Sequence, residues 1–202
     1  MLIHSATFSP NCRKIEAFIH EFELPIEIVP VDMKDPITKR PEFRELNPNG
    51  KIPCLVDGDY SLWESNAILT YLASIHPALD VLPSDPRARA DVDKWLAWQA
   101  SLFGPAVGGL FRPESAAKAR QELAGLSEIL DAQLRGRAFV VGPLSVVDFA
   151  LGAYAACVPS DKFDFARFLN VAAWLTRVCG LKGFVATDLT AAKAGSKEYG
   201  HG

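Results

Sequence analysis

Ser9-Pro10-Asn11-Cys12 stands where an apolar strand runs into an amphipathic helix, and Ser9 holds the place of the first cysteine in a Cys-x-x-Cys redox pair. A residue there sits beside the unpaired N–H groups and positive dipole end of the helix, a setting that favours an anion, including a thiolate. A serine hydroxyl is not acidic enough to act as a base near neutral pH, but it can donate a hydrogen bond to a sulfur anion and lower its pKa. The motif therefore predicts a protein that stabilises a thiolate brought from outside. Cys12, at the resolving position, supports two readings. It either forms mixed disulfides and runs thiol–disulfide exchange, or is a small buried residue in the first helical turn. Arg13 reads as a structural or interface charge. His4 and His20, on the first strand and late in the first helix, are expected to pack or face solvent.

The elements that must position this motif are visible in the hydropathy pattern. Short apolar runs at 2–6, 26–31, 54–56 and 60–63 predict strands, the last two forming a hairpin around Asp57-Gly58-Asp59. Ile15, Phe18, Ile19 and Phe22 recur at helical spacing after Pro10, a residue well suited to the first position of a helix. A short helix is expected around Pro41–Leu46, and another after the hairpin with Ile68, Leu69, Leu72 and Ile75 inward. A β-α-β unit, a connecting helix, a hairpin and a final helix give the order of a thioredoxin-like domain. The stretch PALDVLPSDP, residues 77 to 86, ends helices and suits a linker. Beyond it the chain shows helical periodicity, as at Ala119, Leu123, Leu126, Leu130, Gln133 and Leu134, which predicts a helical bundle. In PLSVVDFAL, Ser145 and Asp148 have the spacing of a capping box, so a helix starts there. The expected organisation is an α/β thioredoxin-like domain over 1–77, a linker over 78–86 and an all-α domain over 87–202.

Bulk properties narrow the partners. A chain of 202 residues with 49% hydrophobic and 22% charged content can build one large or two modest cores. The net charge of −3 and scattered basic residues give no footprint for nucleic acid or an anionic membrane surface. The four cysteines share no metal-ligand spacing, so no metal is expected. The opening MLIHSATF has neither a basic leader nor a long apolar run. The expectation is a reduced, cytoplasmic protein without a membrane span.

The stretch NPNGKIPCLVDGDYSLWESNAILTYLA, residues 47 to 73, together with Ser-x-x-Cys-Arg at the first helix, the capped helix and FLNVAAWLTRV at 168–178, resembles the cytosolic glutathione transferase family. The serine before Cys12 is similar to the pattern of the theta, delta and related bacterial serine-type classes. The resemblance implies a thioredoxin-like glutathione-binding domain, a helical domain that contributes the electrophile pocket, and a homodimer. It implies a cis peptide at Ile52-Pro53, which turns the Ile52 N–H and C=O outward to pair with an extended peptide-like ligand. Glu64 and Ser65, opening a helix, would hold the ammonium and carboxylate of a γ-glutamyl head. Lys51, and more weakly Asn49, would meet the glycine carboxylate at the far end. Asn11 would give the glutathione sulfur a second hydrogen bond. The implied reaction is attack of the glutathione thiolate, activated by Ser9, on a hydrophobic electrophile. Glutathione-dependent disulfide reductase or peroxidase chemistry, using Cys12 or a second glutathione, and a non-catalytic binding module remain the alternatives. Trp95, Trp98, Leu102, Phe103, Phe111 and Arg112 either line the electrophile pocket or fill the bundle core.

Overall fold

The computed structural model describes residues 1–32, 34 and 36–188. Contacts divide the chain into two compact units, one of Met1–Ser65 with the residues from Gly180 on, the other Asn66–Cys179. This division falls between Ser65 and Asn66, upstream of the proline-rich stretch that composition marks as a linker.

The first unit carries a mixed sheet of order β2-β1-β3-β4, from β1 (Leu2–Ser5), β2 (Glu27–Pro30), β3 (Cys54–Asp57) and β4 (Tyr60–Trp63). β1 runs parallel to β2, so a crossover is required between them, and α1 (Pro10–Glu21) supplies it. β3 is antiparallel to β1 and to β4, the hairpin partner that the Asp-Gly-Asp turn predicts. α2 spans Pro41–Leu46 as expected, and α3 (Ser65–Ile75) follows the hairpin. This is the element order of a thioredoxin-like domain.

α1 is buried from Cys12 to Ile19 without interruption, including Arg13, Lys14 and Glu16. One cover is α9 (Lys182–Ala186), which returns to the first unit at the end of the described chain. Arg13 reaches it through Nε to Thr187 Oγ1 and Nη2 to the Phe184 carbonyl, both at 3.4 Å, with its guanidinium 5.5 Å from the Phe184 ring centroid. The Gly183 N–H donates to Glu21 Oε2 at 2.8 Å, and Lys182 pairs with Glu23. At Gly183 the two helices all but touch, since a Cβ there would lie 1.8 Å from the Ala17 carbonyl oxygen.

The second unit is helical. α4 (Pro86–Trp98) starts at Asp85, whose carboxylate accepts from the N–H groups of Arg87 and Ala88 at 3.1 and 2.9 Å, with Pro86 as the first helical residue. A π-helical turn over Gln99–Phe103 leads into α5 (Gly104–Gly109), and α6 (Ala116–Leu134), α7 (Val146–Ala155) and α8 (Leu169–Cys179) follow. In α3, Ile68, Leu69 and Leu72 are buried but Ile75, expected inward, is 41% exposed as the last residue of the helix. On α6 the buried stripe is Ala119, Leu123, Ser127, Leu130 and Leu134; Ser127 takes the core position beside Leu126 by returning its hydroxyl to the Leu123 carbonyl at 2.7 Å.

The capping box of α7 is present, and Asp148 does more than cap. Its buried carboxylate accepts from the Ser145 N–H at 2.9 Å, the Ser145 hydroxyl and the Val140 N–H at 3.0 Å each, and Trp174 Nε1 at 2.9 Å. Burial pushes its pKa up while these donors pull it down, and burial is the larger effect. The carboxyl thus ties α7, the segment before it and α8 together.

Two stability outcomes follow from these contacts. Gly183→Ala should cost about 3 kcal/mol, because the new methyl meets backbone rather than a side chain that can swing away. Asp148→Ala should cost about 3 kcal/mol or more, since it strands buried N–H donors. Both appear as lowered thermal or urea midpoints, and a Gly183→Ala protein as stable as the native one would refute the close approach of α9 to α1.

Candidate functional site

Three stretches of the first unit meet at a cleft of about 210 Å³. The first turn of α1 gives Asn11, the segment before β3 gives Lys51, Ile52 and Pro53, and the end of β4 with the start of α3 gives Trp63, Glu64 and Ser65. Asn47 and Asn49 complete the lining. Seven of the residues that the sequence singles out, Asn11, Asn49, Lys51, Ile52, Pro53, Glu64 and Ser65, are therefore brought together. Ser9 and Cys12 are not in that lining.

Each wall has a local cause. The Ile52–Pro53 peptide is cis. The segment that carries it is held by Asn47, which is buried and donates from Nδ2 to the Lys51 carbonyl at 2.7 Å. Asn47 Oδ1 accepts from the backbone N–H of Asn49 at 3.0 Å and from its amide at 3.1 Å, an Asx-type turn closed by Gly50 at φ 58°. On the opposite wall Glu64 adopts a left-handed backbone, φ 70°, where a side chain is strained. That conformation turns the chain sharply from β4 into α3, whose first residue, Ser65, lines the cleft. The Ser65 hydroxyl donates to Asn11 Oδ1 at 3.0 Å, which joins the start of α3 to the start of α1.

Ser9 is the N-cap of α1, with φ −81° and ψ 124°, and its hydroxyl makes no capping bond. The backbone does the local work: the Ser9 N–H donates to the Ala6 carbonyl at 2.9 Å, and the Ser9 carbonyl accepts from Cys12 and Arg13 at 3.0 and 2.8 Å. The half-buried hydroxyl lies within hydrogen-bonding reach of the Cys12 sulfur. Cys12 is fully buried, and its thiol also meets the Ser5 hydroxyl, which itself donates to the buried Glu16 carboxylate. Burial, chiefly, with Glu16 adding to it, raises the Cys12 pKa above the ordinary thiol value. Cys54 on β3 is pushed up by burial to about 11. None of the four cysteines is in a disulfide.

His4 packs edge-on against Phe43, centroids 5.4 Å apart, and His20 is exposed on α1. In the second unit Trp95, Trp98, Phe103 and Phe165 form a run of ring contacts 5.0, 5.5 and 6.4 Å apart, with Trp95 and Phe103 buried. Leu102 and Phe111 are each 48% exposed, and Arg112 is exposed. A larger cavity of about 390 Å³ lies in that unit near Val81, Lys94, Gln133 and Arg137. Its Lys94 is paired with Asp91, and it contains none of the chemistry that the sequence marks. Among the described residues no group of histidine, cysteine and carboxylate side chains could hold a metal ion, and no helix is long and apolar enough to cross a membrane.

The family model for the glutathione S-transferase N-terminal domain matches residues 8–75, the span that contains the whole cleft. Over 188 residues the chain is 32% identical to glutathione S-transferase theta-3 of Mus musculus, covering 84% of this chain and 78% of that one. The chain belongs to the glutathione S-transferase family. A second family relative, the disulfide-bond oxidoreductase YfcG of Escherichia coli (strain K12), is 30% identical over 187 residues, with 84% of this chain and 86% of that one covered. Among solved structures, a sphingomonad glutathione S-transferase complexed with glutathione matches with a TM-score of 0.81 at 25% identity over 93% of this chain and 96% of that one.

Asn47 and Trp63 are the lining residues of this glutathione S-transferase family member that sequence reading did not select. Asn47-Pro48-Asn49-Gly50 has the composition of a turn, but a side chain that organises the next segment looks the same in sequence as one that faces water.

Alkylation tests the cysteine assignment. Because burial raises Cys12 and Cys54, their thiolates form only at high pH, so iodoacetamide at pH 8 should label exposed Cys179 first and spare both until the protein unfolds. Peptide mapping reads the order. Asn47→Ala should cost about 1–3 kcal/mol of stability. Asn47→Asp, which keeps the acceptor for Asn49 but sets a buried carboxylate oxygen against the Lys51 carbonyl, should cost at least as much.

Proposed function

We propose that this chain is a glutathione transferase that joins the thiolate of glutathione to a hydrophobic electrophile, with Ser9 as the thiolate's hydrogen-bond donor. The observation that carries the reading is the convergence of Asn11, the Ile52 backbone and Glu64–Ser65 on one cleft, next to a helix N-cap whose hydroxyl is not spent on capping.

An extended γ-glutamyl tripeptide fits these walls by chemistry. Its backbone pairs with the N–H and C=O of Ile52 as an added strand would. The γ-glutamyl carboxylate takes the N–H groups that open α3 at Ser65, where the helix dipole favours an anion. Its ammonium takes the Glu64 carboxylate, and the glycine carboxylate takes Lys51. The sulfur then lies toward Ser9. Lowering a thiol from about 8.5 by about two units needs about 2.7 kcal/mol of preferential stabilisation of the anion. One charge-assisted hydrogen bond from Ser9 plus the N-terminus of α1 is enough to supply it. Asn11 adds a second donor, its Oδ1 end being taken up by Ser65. The working form is a cytoplasmic homodimer, as the family resemblance implies.

A second reading is glutathione-dependent disulfide reduction, favoured by the likeness to a disulfide-bond oxidoreductase. A version that runs through Cys12 is disfavoured by the burial and raised pKa of that thiol. A version that runs through the sulfur of glutathione itself uses the same cleft and the same Ser9.

Thiolate absorbance of bound glutathione against pH, in the native protein and in Ser9→Ala, tests the reading. The native protein should show a thiol pKa about two units below the solution value, and Ser9→Ala should return most of that shift. Equal values in the two proteins would remove Ser9 from its role. Turnover of an aryl halide and of a mixed glutathione disulfide, each in native and Cys12→Ala protein, then separates conjugation from disulfide reduction. Cys12→Ala should keep whichever activity is present.

A further inference from the structure

Lys14 is a fully buried lysine in the second turn of α1. Lysine ammonium groups are almost never buried to this extent without an electrostatic reason, because desolvating the charge costs several kcal/mol. Lys14 follows Asn11 by three positions, so the two share a face of α1, with Lys14 about one turn further along than the residue that lines the cleft. Among the charges that act on it is Glu64, from the β4–α3 turn, which lines the same cleft. On α1 itself the ionisable group that acts on Lys14 is Cys12, held as a neutral thiol by burial. Arg13, next in sequence, is turned to Thr187 and Phe184.

We propose that Lys14 is the cleft's buried cation, a positioning residue that stands behind Asn11 and Glu64 and favours ligands bringing negative charge to them, namely the γ-glutamyl carboxylate and the thiolate. The proposal rests on the glutathione reading and adds a buried positive charge to the exposed one that Lys51 brings to the lining. Glu64 alone would repel both anions. A buried positive charge behind it offsets that repulsion while leaving the carboxylate free to accept from the ligand's ammonium.

Burial holds Lys14 down to about 7, with Glu64 opposing that fall. Amine and ammonium forms therefore exchange near neutral pH. An arriving anion favours the ammonium and raises the pKa, so binding near pH 7 draws a proton from solvent onto Lys14. Well below that value Lys14 is charged in the free and bound protein alike, and its full attraction is present. Above the bound-state value it is neutral in both, and the attraction is gone. If binding raises the pKa by about one unit, affinity falls about tenfold across this window as pH increases.

S-methylglutathione isolates this effect, because it keeps both carboxylates and the ammonium but has no thiol to ionise. Titration calorimetry at pH 7, in buffers of different ionisation enthalpy, counts the protons exchanged on binding. The native protein should take up a substantial fraction of a proton. Lys14→Met should lose that uptake and bind about tenfold more weakly at pH 6. Lys14→Arg, which stays charged throughout, should bind without uptake and keep its affinity at pH 8.5. Binding by the native protein with no uptake, or the same uptake in Lys14→Met, overturns the role of Lys14 while leaving the glutathione site in place. Failure of the native protein to bind S-methylglutathione overturns the glutathione reading itself. The native proton count decides the question even where a variant does not fold.

Discussion

A helix buried on every side cannot carry charged residues unless each charge meets a specific partner, and α1 carries Arg13, Lys14 and Glu16 inside its buried run. The three face different ways and so recruit different parts of the chain. Arg13 engages Thr187 and Phe184 of the returning C-terminal segment, Glu16 accepts from Ser5 on β1, and Lys14 feels Glu64 at the cleft. The sheet, the last described helix and the site are thereby all registered on one twelve-residue element. The same element opens with Ser9 and Asn11, so displacement of α1 displaces the chemistry.

This arrangement explains why a serine and a cysteine that sit three positions apart have such different prospects. Ser9 is the N-cap, half-buried, with its hydroxyl released from capping because the backbone carbonyl closes the first turn. Cys12 lies one turn inward against Ser5 and near Glu16, where a negative sulfur would be both desolvated and repelled. The first keeps a half-buried hydroxyl outside the cap, and the second is placed to remain a thiol. Family members with transferase and disulfide-oxidoreductase names share this scaffold, which fits the view that chemistry is decided at the site and not by the fold.

Much of the architecture was legible in sequence because it is written in local signals. Pro10 and Pro41 open helices, Asp57-Gly58-Asp59 turns the hairpin, and Ser145 with Asp148 caps α7. Seven of the nine residues lining the cleft could be grouped because the family resemblance supplied the long-range register that periodicity cannot. What stayed hidden depends on contacts between distant positions. Nothing local distinguishes buried Lys14 from a solvated lysine, Asn47 from a surface turn, or Gly183 from a flexible glycine. Their roles come from Glu64, Lys51 and Ala17 respectively, each supplied by a different element. The helical stripe on α6 drifted by one residue at Leu126 because a buried serine can satisfy its hydroxyl on its own helix.

The return of α9 to the first unit makes the helical unit, in topological terms, an insertion between two pieces of its neighbour. During synthesis the sheet and α1 leave the ribosome early, while Phe184 and Thr187 emerge only after the whole helical segment has been made. Until then the Arg13 guanidinium has neither its carbonyl nor its ring, and the face of α1 that fits against Gly183 stays wet. Completion of the first unit is thus a late event in the life of the nascent chain, coupled to the folding of a unit that lies between its parts.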